Sequence, residues 1–266
     1  MKWKLFFYSL IFLSTQSIAQ VWEFEKQWHL TDTTQRWVID EWGQLYQWQD
    51  NSISLRNVQT GQLFHESFKN FGDITGVYPL NGLRSLIFSE EQQMIGILDN
   101  TLQLQRTPLN LSELGFEFVT AIATSARPDF IWLFDQYRSR LVLFNLQTMS
   151  KAQVLDNSFP GEKNVVIKQL FEEQSELLCL LENGQVFRFD RNLTLIDQFK
   201  IDPQAQLFSI KNQLWMTANN SLKNVSTFQY IQSLAFPEGQ DILLQVFNEQ
   251  YYFQKAGKIY VYKLKM

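Results

Sequence analysis

Residues 177–190 read Leu-Leu-Cys-Leu-Leu-Glu-Asn-Gly-Gln-Val-Phe-Arg-Phe-Asp. Asn183-Gly184 lies between an apolar run and an alternating one, and such a pair tolerates the positive φ of a two-residue hairpin turn. Alternating runs of this kind bury one side of a pleated strand and leave the other side in water. The stretch therefore predicts a β-hairpin. Cys179, the chain's single cysteine, is predicted to be a buried hydrophobe in it rather than a reactive thiol or half of a disulfide.

The same arrangement recurs along the chain. Six turn pairs, spaced about 41 residues apart on average, each lie between two short strand-like runs: Asp50-Asn51, Glu90-Glu91, Arg138-Ser139, Asn183-Gly184, Asn219-Asn220 and Ala256-Gly257. A period of this length with four strands per unit is typical of propeller blades. The sequence predicts an all-β fold, a six-bladed β-propeller. The alternatives are a seven-bladed propeller and a β-sandwich.

The predicted blades cover residues 36–68, 74–109, 118–155, 165–201, 205–236 and 242–266, and the last has room for only three strands. Val21–Leu30 is a further strand with no hairpin partner of its own. Its side chains Trp22, Phe24, Trp28 and Leu30 are predicted to share one face. If this strand joins the last blade, it closes the ring and removes two open sheet edges. We therefore expect a monomer.

The first residues are typical of a secretory signal peptide. Positively charged Met1–Lys4 precedes the apolar run Leu5–Leu13, and small residues at Ser17 and Ala19 follow. Nothing later is apolar for long enough to span a bilayer as a helix. We expect a signal peptide over residues 1–19, one propeller domain over residues 20–266, and a periplasmic or extracellular location.

Composition and motifs argue against several classes of function. Cleavage after Ala19 leaves 21 basic and 27 acidic residues, so there is no electrostatic reason to bind nucleic acid. The two histidines, His29 and His65, lie in strand-like runs, and no nucleophile-elbow, zinc, calcium-loop or phosphate-loop motif is present. The sequence predicts no catalytic residue, metal or cofactor.

The loops that join each outermost strand to the next blade are rich in acids. They contain nine carboxylates against Lys69 and Lys163: Asp32, Asp73, Glu113, Glu117, Asp156, Glu162, Asp202, Glu238 and Asp241. Turn chemistry alone favours Asp at such positions. A ring of carboxylates would nevertheless attract a cation or a basic partner. The candidate binding residues are Asp73, Glu117, Glu162, Asp202 and Asp241, together with Phe71, Phe116 and Phe159 as exposed aromatics of the same loops.

One segment resembles a known family. Gly72–Leu80, followed by Leu86-Ile87-Phe88 and by Ile95–Asn100, is similar to a segment of uncharacterised exported proteins of Bacteroidetes bacteria. That family has Asn-Pro-Leu where this chain has Tyr78-Pro79-Leu80, and the similarity covers mainly the second blade. The resemblance implies a propeller fold and a bacterial envelope location, and it implies no activity.

Two classes of function fit these features. The first is an exported, non-catalytic binding or scaffold protein that contacts a protein or a small ligand through the acidic loops, since loops on rigid scaffolds carry recognition. The alternative is a propeller-type metal-dependent hydrolase or lactonase with an acidic funnel. Propellers host both classes, so the fold does not choose between them.

Overall fold

The computed structural model describes residues 21–30, 35–40, 42–57, 60–225, 233–239, 242–247 and 249–265. These residues form six four-stranded antiparallel sheets, which we call blades one to six in chain order. The predicted signal peptide and Asp241 lie outside the described residues. No helix long and apolar enough to cross a membrane is found in the described ranges.

The first strand, β1 (Val21–His29), belongs to the last blade, and the following strands build blades one to three. Blade one contains β2 (Arg36–Ile39), β3 (Gln44–Gln49), β4 (Ser52–Asn57) and β5 (Leu63–Ser67). Blade two contains β6 (Gly76–Asn81), β7 (Arg84–Ser89), β8 (Met94–Asp99) and β9 (Leu109–Asn110). Blade three contains β10 (Val119–Thr124), β11 (Phe130–Asp135), β12 (Arg140–Asn145) and β13 (Ser150–Leu155).

Blades four and five repeat the same order of strands. Blade four contains β14 (Ile167–Glu173), β15 (Glu176–Leu181), β16 (Gln185–Phe189) and β17 (Leu195–Lys200). Blade five contains β18 (Leu207–Ile210), β19 (Gln213–Thr217), β20 (Ser221–Asn224) and β21 (Ser233–Ala235). Blade six contains β22 (Leu243–Phe247), β23 (Gln250–Lys255) and β24 (Lys258–Lys265), with β1 as its outermost strand.

The predicted architecture is confirmed, including the count of six blades and the closure by the N-terminal strand. Val21 pairs with Lys265 and His29 with Lys258, so the two ends of the described chain share one sheet. All six predicted turn pairs fall between the second and third strands of a blade. At most of the blade ends, the observed strand bound lies one or two residues from the predicted one.

The prediction that Trp22 and Trp28 share one face of the closing strand is wrong. The register of β1 on β24 shifts between Phe24 and Lys26, where a β-bulge inserts one residue. Because side chains alternate with a period of two, one extra residue moves the rest of the strand to the other face. Trp22 therefore packs with Tyr251 and Phe253 at one interblade junction, and Trp28 packs with Tyr252 at the other.

The core consists of layers between neighbouring blades. Leu86, Ile97, Ile122 and Val142 belong to the layer between blades two and three. Trp132, Leu141 and Cys179 belong to the next, where full burial raises the pKa of the Cys179 thiol well above its usual value. Each blade is thus buried on both faces, which explains the apolar second and third strands.

A belt of polar contacts joins every pair of neighbouring blades on the face that carries the turns between first and second strands. The six junctions use Gln44 with Gly82, Arg84 with Asp129, Ser125 and Trp132 with Glu172, Gln174 with Asn212, Lys211 with Glu249, and Gln245 with Ile39. Amide and carboxylate groups satisfy backbone and side-chain partners across each junction. We call this side of the disc the base.

Candidate functional site

The other side of the disc carries the interblade loops and the turns between second and third strands. Antiparallel order fixes this: in a four-stranded blade, the loop that enters the first strand and the turn after the second lie at the same end. We call this side the loop face. Its two kinds of segment alternate around the rim, one of each per blade.

Four of the five predicted carboxylates are described, and all four lie on the loop face. Glu117 forms an ion pair with Arg138, with 2.6 Å between Oε1 and Nε. Glu162 accepts a hydrogen bond of 2.8 Å from Nδ2 of Asn183. In both cases the partner belongs to the turn of the blade that the loop enters. Asp73 is exposed.

Glu162 and Asp202 line two pockets at equivalent positions of neighbouring blades. The Asp202 pocket, of about 300 Å³, lies between the loop into blade five and the turn Asn219-Asn220. The Glu162 pocket, of about 330 Å³, lies between the loop into blade four and the turn that contains Asn183. Carboxylate and amide groups in each pocket offer both acceptors and donors to a ligand.

The central cavity is a separate feature. It has a volume of about 920 Å³ and is lined by the innermost strands of all six blades. None of the four described carboxylates lines it; its charged residues are Lys168, Glu173, Lys211 and Glu249. Burial lowers the pKa of Lys168, whose Nζ donates to the carbonyls of Pro203 at 2.6 Å and Ala205 at 2.9 Å. The carboxylates therefore mark the rim rather than the central opening.

The prediction of exposed phenylalanines in the interblade loops is wrong. Phe71, Phe116 and Phe159 are 2%, 3% and 3% exposed. Each loop folds back so that its phenylalanine fills the space between two blades; Phe159, for example, packs edge-on against Phe187 with centroids 5.0 Å apart. A buried aromatic ring stabilises the fold through the apolar surface that it removes from water. These side chains therefore hold the loops against the blades instead of forming a contact surface.

Sequence reasoning missed the exposed aromatic of the loop face. Tyr137 is 72% exposed in the turn of blade three. Its ring stacks on Phe118 of the preceding interblade loop, with centroids 5.1 Å apart and an interplanar angle of 23°. The signal was available, because Tyr137 immediately precedes the predicted turn pair Arg138-Ser139.

A buried ion pair below this turn was also missed. Asp135 and Arg140 are 0% and 7% exposed and lie 2.8 Å apart, as the cross-strand pair of β11 and β12 next to the turn. Asp135 accepts hydrogen bonds from the backbone N–H groups of Glu117 at 3.1 Å and Phe118 at 3.0 Å, and Arg140 donates to the Gly115 carbonyl at 2.6 Å. The pair fixes the loop that carries Glu117 and Phe118.

Features of a catalytic centre are sparse in the described part of the chain. His29 and His65 lie exposed on outermost strands of blades six and one, away from the central cavity. Among the described residues, no three His, Cys, Asp or Glu side chains come together as metal ligands.

No protein-family model matches the chain, and no curated protein matches it. Solved structures do. A structure of BBS1N in complex with ARL6DN is 12% identical, with a TM-score of 0.59, over 86% of this chain and 77% of that one. A catalytically inactive histidine-to-alanine variant of virginiamycin B lyase from Staphylococcus aureus, solved with quinupristin, is 12% identical, with a TM-score of 0.58, over 92% and 100%.

BamB from Moraxella catarrhalis is 13% identical, with a TM-score of 0.51, over 86% of this chain and 68% of that one. At identities this low, the similarity shows only that the fold is shared. The likeness agrees with the propeller assigned above, and function has to be argued from the site.

Proposed function

We propose that this chain is an exported, non-catalytic binding or scaffold protein whose loop face contacts a protein or a small ligand. The observation that carries the proposal is the pair of equivalent rim pockets on blades four and five. Each holds a carboxylate, Glu162 or Asp202, that the sequence alone singles out. Concave sites with a few converging polar groups are where ligands bind.

The two sides of the disc differ in what they present. On the base, polar contacts join all six blade junctions, and on the loop face the segments differ in length and composition from blade to blade. Loops held by a rigid scaffold can vary without loss of the fold, so they are the part of a propeller best suited to recognition.

The structural neighbours show that a propeller can serve either kind of ligand. BBS1N was solved with a protein partner and the lyase with the small molecule quinupristin. The lyase loses activity when a histidine is replaced, whereas both histidines of this chain lie on outer strands. This contrast favours binding over catalysis. For the alternative, a metal-dependent hydrolase, the described residues provide no group of three metal ligands.

The test is capture of a partner from the native envelope with residues 20–266 as bait. The Glu162→Gln/Asp202→Asn variant removes both pocket charges without changing side-chain size. A matched control, Glu23→Gln/Glu176→Gln, removes two carboxylates that pair with Lys265 and Arg188 on strands away from the loop face. We expect the control to retain the captured ligand and the pocket variant to lose most of it. Equal capture by both variants would contradict the proposal.

A further inference from the structure

The loop face has a strong charge asymmetry once its turns are counted with its loops. Its described segments contain eleven carboxylates: Asp50, Asp73, Glu90, Glu91, Glu113, Glu117, Asp156, Glu162, Glu182, Asp202 and Glu238. The same segments contain three basic residues, Lys69, Arg138 and Lys163. Ammonium groups of adjoining strands, such as those of Lys168 and Lys255, also bond to loop carbonyls, which reduces this excess without removing it. The remaining negative charge speeds the approach of a positively charged partner.

One aromatic platform stands out within this face. The ring of Tyr137 covers Phe118 on one side and leaves its other side to solvent, and it is the most exposed of the large hydrophobic side chains of the described chain. Tyrosine in such a position is enriched at the centres of protein interfaces, because it offers a large contact area at a small cost in conformational entropy.

The platform is held rigidly from both sides. The backbone N–H of Gln136 donates to the Phe118 carbonyl at 2.8 Å, and the N–H of Ser158 donates to the Ser139 carbonyl at 2.9 Å. The turn that carries Tyr137 is thereby tied to the interblade loop before it and to the one after it. A rigid aromatic needs little further ordering on binding, which favours affinity.

The same two loops carry exposed carboxylates, Glu113 before the platform and Asp156 after it. Two cations near the platform are already held by the protein, since Arg138 pairs with Glu117 and Lys151 donates to the Gly115 carbonyl. The carboxylate excess of the loop face as a whole therefore attracts a cationic side chain, and the open π-face attracts the same charge through its ring quadrupole.

We infer that the Tyr137–Phe118 platform binds a lysine or arginine side chain of a basic segment in a partner protein. The inference rests on the proposed function, since it names the chemistry of the partner that the loop face contacts. The aromatic face takes the cationic head and its methylene stem, while the surrounding carboxylates set the orientation and the rate of encounter.

The experiment measures, by fluorescence anisotropy at low salt, the binding of three labelled octapeptides to residues 20–266. The peptides are an oligolysine, a Gly-Ser repeat and an oligoglutamate. Only the oligolysine is expected to bind. Tyr137→Ala should weaken that binding about three- to fivefold, the loss of one exposed cation–π contact, whereas Tyr137→Phe should stay within about twofold. Leu83→Ala, which truncates a side chain 67% exposed in the turn between β6 and β7 on the opposite side of the disc, is the matched control and should leave the affinity unchanged.

The outcomes separate this inference from the proposed function. Oligolysine binding that is equal in Tyr137→Ala and wild type would overturn the platform, and so would the absence of oligolysine binding. Either result would leave envelope capture and its dependence on Glu162 and Asp202 intact. Thermal melts check that the variants remain folded. Because Tyr137 is 72% exposed, its replacement should have little effect on the fold.

Discussion

Replacement of Trp22 by alanine measures the contribution of the closing strand to stability. The Trp22 ring meets Tyr251 edge-on with centroids 4.9 Å apart, and its Nε1 donates to the Ala235 carbonyl of blade five at 2.6 Å. A tryptophan that buries about 150 Å² of apolar surface at about 25 cal/mol per Å² contributes about 4 kcal/mol. Because Trp22 is only partly buried, we expect Trp22→Ala to lower the free energy of unfolding by about 3 kcal/mol.

Urea unfolding of residues 20–266, followed by near-ultraviolet circular dichroism, provides the assay. With a slope of about 3 kcal/mol per M, the midpoint should fall by about 1 M. Trp22→Phe keeps a ring in the junction but removes the hydrogen bond to Ala235, so its cost should be about 1 kcal/mol.

Phe24, in the same strand, supplies the control. Phe24 lies two residues from Trp22 but is 51% exposed, so Phe24→Ala should shift the urea midpoint by less than about 0.3 M. The reasoning would be refuted by equal shifts for Phe24→Ala and Trp22→Ala, since that result means that the two side chains are equally buried.

Three further predictions concern buried groups. Asp135→Asn should cost about 3–5 kcal/mol, because it leaves Arg140 buried without its carboxylate; a loss below about 1 kcal/mol in urea unfolding would contradict the buried pair. Burial, and then the charge of Glu249, raises the pKa of Tyr251 to about 12, so the unfolded chain releases this proton near pH 10 while the folded chain keeps it. Stability should therefore fall as pH rises from 10 to 12. Burial raises the pKa of Tyr46, Tyr78 and Tyr252 as well, so Tyr251→Phe should make that slope shallower in thermal melts without abolishing it, and an unchanged slope would exclude a contribution from Tyr251. Cys179 should stay unmodified by a thiol reagent at neutral pH until urea unfolds the chain, and labelling of the folded protein within minutes would contradict its burial.

The sequence predicted the features of this fold that are local. A turn pair such as Asn183-Gly184 and the alternation of its flanking runs depend on residues that are neighbours in the chain, and their period then fixes the blade count. The closing role of β1 followed from an unpaired strand at one end and a three-stranded blade at the other. Features that depend on how the side chains of distant segments pack against each other were not predictable in this way.

The bulge and the buried loop residues are examples. Nothing in the residues 21–30 shows that one of them is excluded from the pairing with β24, yet this decides which face carries Trp28. Likewise, Phe116 looks like an exposed loop residue until blade three lies next to blade two. Asp135 and Arg140 were overlooked because strand charges are usually solvated, whereas here an interblade loop covers both.

Glu162 and Asp202 were chosen from the sequence for their place in interblade loops, and the structure puts each in a pocket of its own. Their place on the rim, each beside the turn of the blade that its loop enters, follows from the repeat itself. The central cavity and its Lys168 could not be anticipated, since they arise from the arrangement of all six innermost strands.

Closure of the ring through β1 also sets the order of events during folding. Val21 pairs with Lys265, so β1 has no partner strand until β24 has been synthesised. Trp22 and Trp28 of a nascent chain therefore lack their blade-six partners, Tyr251 and Tyr252, until late in synthesis. Contacts between such distant segments give a high contact order, and they slow the final step. A chain stalled before residue 258 would consequently present an unpaired, aromatic edge strand to chaperones or to other copies of itself.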